Sequence, residues 1–145
     1  TATVEGLALP IKAVSDLVVK SKGHRGALDI VDHKFVDSFS SQGGSKTLFI
    51  MQAIFNYYTV CTTFKKPVKR FILHECKKRK NKDGSPQMKR YVIEYKKCAI
   101  EFQLFKQLIN DATDDLSRRK VFLPNPSDMF EGENSFDIYR LGLVE

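Results

Sequence analysis

Between residues 65 and 97 two apolar runs, 68–76 and 91–95, stand on either side of Asp83-Gly84-Ser85-Pro86. Asp, Gly, Ser and Pro in succession are a strong turn signal. Two runs of strand length joined this way predict a β-hairpin. In the first arm Phe71, Leu73 and Glu75 alternate with Ile72, His74 and Cys76. In the second, Tyr91, Ile93 and Tyr95 alternate with Val92, Glu94 and Lys96. One apolar face per arm is what a half-buried antiparallel sheet requires.

The same stretch concentrates the charge of the chain. Thirteen Lys and Arg against three acids give residues 65–97 a local charge of +10, whereas the whole chain is +7. The remainder is therefore net acidic by three, with residues 1–64 at +1 and residues 98–145 at −4. Such a chain can satisfy its own basic patch, or that of a second copy.

Elsewhere the pattern is less decisive. Residues 3–9 read as a short strand that Pro10 ends. Ile11, Val14, Leu17 and Val18 fall at helical spacing, which predicts a helix over 11–22, with Leu17-Val18-Val19 offering a strand as the alternative. Gly23-His24-Arg25-Gly26 reads as a turn, residues 27–39 fit strand and helix alike, and 38–45 are loop by composition. Residues 46–64 are apolar on every face and so belong in the core. Their β-branched and aromatic content favours strand over 59–64 and only marginally over 46–58, where helix is the alternative. Residues 98–102 extend the sheet. Leu104, Phe105, Leu108, Ile109, Ala112 and Leu116 mark an amphipathic helix over about 104–116, with Arg118, Arg119 and Lys120 suited to its C-terminal dipole. Residues 121–123 read as a short strand, 127–135 as an acidic loop and 136–144 as a last strand or ordered tail.

These elements predict a single α+β domain over 1–145. Its antiparallel sheet carries the basic hairpin (65–97), the helix at about 104–116 packs on one face, and an acidic segment (121–145) closes the chain. At 145 residues the chain suffices for one core, and 11 Phe and five Tyr supply it. The longest apolar run, 48–55, is too short to span a membrane and is interrupted by Gln52. Three cysteines without close spacing point to a reducing compartment, hence an intracellular protein, nuclear or cytoplasmic. The chain opens on Thr1 with no leader pattern, which reads as a processed product or an excised domain.

A dense row of Lys and Arg releases counterions when it meets phosphates, which gives sequence-independent affinity for nucleic acid. The binding residues expected on this basis are Lys69, Arg70, Lys77, Lys78, Arg79, Lys80, Lys82, Lys89 and Arg90. Tyr91 and Tyr95 are expected to stack on bases or pack the core. The function that follows is non-enzymatic nucleic-acid binding, with RNA or single-stranded DNA ahead of duplex, no cofactor and no small-molecule substrate. A solvated, solubilising loop is the plainer reading of the same charge. Lys77-Lys78-Arg79-Lys80 also matches a short nuclear-import signal. The rival class is a structural or assembly module, such as a viral matrix, capsid or movement-type protein. It would self-associate into a homo-oligomer and present its basic patch to a genome, an acidic protein or a membrane surface.

One enzymatic reading competes with these. Glu75-Cys76-Lys77 ends an apolar strand and resembles the E-x-K half of the PD-(D/E)xK nuclease pattern. In that pattern a carboxylate binds Mg²⁺, and a Lys two residues on shares its face and helps position the attacking water. Asp29 or Asp32 is then the second metal ligand, although the usual Pro-Asp is missing. No residue is assigned as catalytic or as a metal ligand on this basis, since the three-letter core is common and Glu75 can pair with neighbouring Lys. Cys61, Cys76, Cys98 and His74 lack zinc-site spacing. Gly43-Gly44-Ser45-Lys46-Thr47 lacks the glycines of a phosphate loop.

Overall fold

The computed structural model of the chain describes residues 1–39 and 45–118, with the side chains of 45–48 set aside. It divides into two compact units, Thr1–Thr113 and Asp114–Glu145, the second described only through residues 114–118. The order is β1 (Leu17–Lys20), β2 (Leu28–Val36), α1 (Ser45–Phe64), β3 (Val68–Lys77), β4 (Met88–Glu94), a 3-10 turn (Tyr95–Lys97) and α2 (Ala99–Arg118).

The class is α+β, but the four-stranded sheet is mixed and not antiparallel throughout. In the order β1-β2-β3-β4, the outer pairs are antiparallel and the central pair β2/β3 is parallel. Parallel neighbours need a long crossover. Here α1 supplies it, which corrects the expected strands over 46–64. Uniform apolarity says only that a segment is buried; its 20 residues are too many for an ordinary strand.

The helix expected over 11–22 is also absent. Gly23 and Gly26 take left-handed φ of 85° and 78°, which closes a turn that returns the chain to pair Leu17 with Val31 and Lys20 with Leu28. Val18 thereby packs against the core, a burial that outweighs the helical spacing of its neighbours. Residues 3–9 form no strand; a single bridge joins Ala2 to Ile11. Residues 98–102 lie in the 3-10 turn's exit and the start of α2 and do not extend the sheet. The readings over 40–44 and 121–144 lie outside the described residues.

Alternation places Ile30 of β2, Phe71 and Leu73 of β3, and Ile93 of β4 on one sheet face. Against them lie Ile50, Ala53, Ile54 and Val60 of α1. Ile30, Ile54 and Phe71 have no exposed surface. Each such side chain contributes about 1.5–3 kcal/mol by leaving water. The helix that lies on the sheet is thus α1. The amphipathic helix, which starts earlier than its apolar pattern suggested, stacks Phe102 and Phe105 on Phe55, Tyr57 and Tyr58 of α1. Its predicted stripe divides: Phe105 is buried, whereas Leu104, Leu108 and Leu116 are exposed. Asn110 ties α2 to the N-terminal segment by donating to the Gly6 carbonyl at 2.7 Å.

A candidate carboxylate–lysine site on the parallel strands

The first five residues of β2 are all buried, as suits a strand of a parallel pair, yet two of them are Asp29 and Asp32, each 2 % exposed. An ionised carboxylate in the interior costs several kcal/mol unless it is paired. How each is paired separates a structural role from a chemical one.

Asp29 points away from α1. Arg70 grips its Oδ2 from both Nε, at 3.1 Å, and Nη2. Arg70 also reaches the Lys22 carbonyl at 3.3 Å. The Asp29 hydrogen bond, with burial opposing it, raises the Arg70 guanidinium above its already high value. Asp29 Oδ1, like an oxygen of Asp32, is buried with no hydrogen bond among the described residues. Arg70 itself is engaged by Asp29 and the Lys22 carbonyl, so it is a buttress of the hairpin β1–β2 and not a free phosphate ligand.

Asp32 points toward α1. Gln52, in the second turn of that helix, donates to its Oδ1 at 2.8 Å. The Lys34 ammonium lies 3.0 Å from Oδ2, but no hydrogen bond reaches that buried oxygen among the described residues. Lys34 is two residues on, so it shares the face, and its side chain is 37 % exposed. Asp16 immediately precedes β1, one position before the Leu17–Val31 pair. Asp16 is exposed, and its Oδ2 accepts the His33 backbone N–H at 3.1 Å. Asp16 is thus bonded to the residue after Asp32, at the middle of β2, where Lys34 pairs with Asp32. One carboxylate oxygen there is buried without a hydrogen bond.

The neighbouring strand continues this face. Glu75 pairs with Lys34 in the parallel register and is wholly buried. Tyr91 donates its hydroxyl to Glu75 Oε2 at 3.1 Å. Of the two candidates for a carboxylate beside the E-x-K half, Asp32 shares its face and Asp29 does not. A second acid-x-lysine half, Asp32-His33-Lys34, lies directly alongside on β2. Sequence reasoning passed over it, along with Asp16 and Gln52. The signal was available in the apolar 28–31 run followed by Asp-x-Lys, and in a lone Gln within an apolar helix.

The expected nucleic-acid residues do not form one surface. Lys77 and Lys89 lie on the Asp32 side of the sheet, and Arg90 on the other. Lys69 sits at the irregularity between the Leu28 and Asp29 pairs. Lys77 stands over the Phe39 ring at 4.8 Å and Lys89 over Tyr91 at 5.1 Å. Lys78 meets Asp37 at 3.2 Å in an exposed pair. Arg79, Lys80 and Lys82 are exposed around a turn built by Asp83, whose Oδ1 accepts the Ser85 amide at 2.9 Å and hydroxyl at 2.6 Å. Those bonds hold the Asp83 carboxyl below its ordinary value. Tyr95 cannot stack on a base: it is 5 % exposed and donates to the Ala53 carbonyl at 2.7 Å. Burial pushes its phenol well above the usual range. Tyr91 is half-buried and engaged with Glu75.

Cys61, Cys76 and Cys98 are free thiols. No group of three or more His, Cys, Asp and Glu stands ready for a metal among the described residues. Mg²⁺ uses one or two carboxylates and completes its shell with water and substrate phosphate oxygens. No helix among the described residues is long and apolar enough to cross a membrane. Compared with protein-family models, with curated proteins and with solved structures, the chain matches none.

Proposed function

We propose that this chain is a divalent-metal-dependent nuclease of the PD-(D/E)xK type, with Asp32-His33-Lys34 as its acid-x-lysine half. The observation that carries the reading is the Asp32 carboxylate: one oxygen is fixed by Gln52, and the other is buried beside Lys34 with no hydrogen bond. Natural interiors seldom leave such an oxygen without a purpose. Its hard, anionic character fits Mg²⁺ or Mn²⁺, and Asp16 supplies a second carboxylate. A divalent ion bound there would polarise a phosphoryl oxygen and acidify water.

The protein's own groups do the rest. Gln52 fixes the rotamer of Asp32, so the oxygen beside Lys34 keeps its direction. The Lys34 ammonium, partly exposed, is placed to hold an attacking water and to offset charge developing on the phosphate. Glu75 and Tyr91 wall the site on the β3 and β4 side. The basic turn after β3 grips the phosphodiester backbone nearby, with Arg79, Lys80 and Lys82 contributing most of the affinity and Lys77, Lys78 and Lys89 contributing from the strand ends.

Non-enzymatic binding of RNA or single-stranded DNA, alone or within an assembly, is the second reading. The +10 charge over residues 65–97 favours it independently of Asp32. Incubation of end-labelled RNA, single-stranded DNA and duplex DNA with Mg²⁺ or Mn²⁺ separates the two. The nuclease reading expects cleavage that chelation stops and that Asp32→Asn lowers at least about 100-fold. Binding that leaves every substrate intact would leave only the second reading.

A further inference from the structure

A cationic concavity lies around the β1–β2 turn. A cavity of about 330 Å³ is lined by Lys20 at the end of β1, Arg25 and His24 in the β1–β2 turn, and Lys66 after α1. Lys20, Arg25 and Lys66 are exposed, and no ion pair holds any of them among the described residues. Lys22, Lys65 and Lys69 stand close by in the chain, also exposed and without an ion pair among the described residues. The acids of the region are taken: Asp29 by Arg70, and Glu94 by Lys96 at 3.2 Å and Lys97 at 3.0 Å. Helix-end complementarity accounts for Lys65 and Lys66, which follow the C-terminus of α1. It does not account for Lys20 or Arg25, which converge from the separate hairpin β1–β2.

Three unpaired cations from three segments, around a concave floor that includes Gly26, suit a small anion rich in acceptors. We infer that this pocket binds a phosphate group, as a terminal or backbone phosphate of a nucleic-acid strand or as free phosphate. Leu28 on its floor is four residues before Asp32 along β2, about 13 Å away at strand rise. One phosphate cannot occupy both places. The pocket is therefore a separate anchor, and its occupancy does not depend on whether Asp32 supports cleavage.

The test is equilibrium binding of 5′-phosphorylated and 5′-hydroxyl single-stranded oligonucleotides in the absence of divalent metal, titrated with salt and with inorganic phosphate. The triple variant Lys20→Gln, Arg25→Gln, Lys66→Gln is compared with the parent and with Lys80→Gln. All three substitutions are on exposed side chains, and unchanged thermal unfolding establishes that the variant folds. The expected result is a salt dependence shallower by about two in log–log slope, from loss of three contacts at about 0.7 each. Weaker binding of the 5′-hydroxyl strand, or displacement by inorganic phosphate, assigns the pocket to a terminal or free phosphate. Loss of slope without either assigns it to the backbone. A triple variant that binds with the parent's affinity and slope, and a parent indifferent to inorganic phosphate, overturn the inference. Metal-dependent cleavage tests Asp32 separately, so failure of one leaves the other standing.

Discussion

Replacing Asp32 by Asn should uncouple stability from activity. Asp32 is 2 % exposed and holds a charge that the interior penalises by several kcal/mol. What the charge gains in return is small. The Lys34 pair is worth at most about 1 kcal/mol, because the lysine is 37 % exposed and solvent screens it. The Gln52 bond survives, since Asn presents a carbonyl oxygen where Oδ1 lies. The new amide would face the Lys34 ammonium, which can swing into water. In chelator the variant should therefore be as stable as the parent, or more stable by about 1 kcal/mol, a rise of roughly 4 °C in midpoint. With Mg²⁺ at tenfold over its dissociation constant the order should reverse. Metal that binds only the folded parent adds about 1.4 kcal/mol, and the variant gains nothing. Thermal unfolding by circular dichroism with EDTA and with Mg²⁺ reads both effects. An Asp32→Asn protein several kcal/mol less stable in EDTA, or one that Mg²⁺ stabilises as much as the parent, would refute a carboxylate kept for metal.

Arg70→Ala should cost about 3–5 kcal/mol in a denaturant titration, because it strands the buried Asp29 charge. Gln52→Leu should lose about 1–3 kcal/mol by taking the donor from Asp32 Oδ1. Tyr95→Phe should lose about 1 kcal/mol yet bind nucleic acid as the parent does, since the ring is buried. His74 has its imidazole pKa lowered by burial first, then by His33 and Arg90. Its folded value lies below its unfolded one, so its contribution to stability is present above about pH 6.5 and is lost as pH falls through the folded value. His74→Gln should flatten that part of the pH–stability curve, and an NMR titration should place His74 below the ordinary imidazole value.

Strands β3 and β4 were legible because apolar runs of strand length flank a strong turn signal. The Asp83-Gly84 turn fixed where they meet. The crossover helix was not legible, since α1 is wrapped by the sheet on one side and by Phe102 and Phe105 on the other. With no polar face, its period vanished and only its length argued for helix. β1 was hidden because a four-residue strand carries too little alternation to outweigh the spacing of Ile11, Val14, Leu17 and Val18. The candidate site shared that fate. Asp32 and Lys34 lie in the ambiguous segment 27–39, and Asp16 and Gln52 come to them only through the hairpin and the crossover. Charge density drew attention to Glu75-x-Lys77, while the matching half lay one strand away.

The proposed nuclease requires a divalent cation at Asp32, with Asp16 bonded to the next residue along β2. Titration of ¹⁵N-labelled protein with substoichiometric Mn²⁺ tests it most directly, because the ion broadens amide signals near its binding site. The account predicts that Asp16, Asp32, His33, Lys34 and Gln52 fade first, that excess Mg²⁺ restores them and that Asp32→Asn abolishes the effect. Broadening that spreads over unrelated acidic residues, or that persists unchanged in Asp32→Asn, would contradict it.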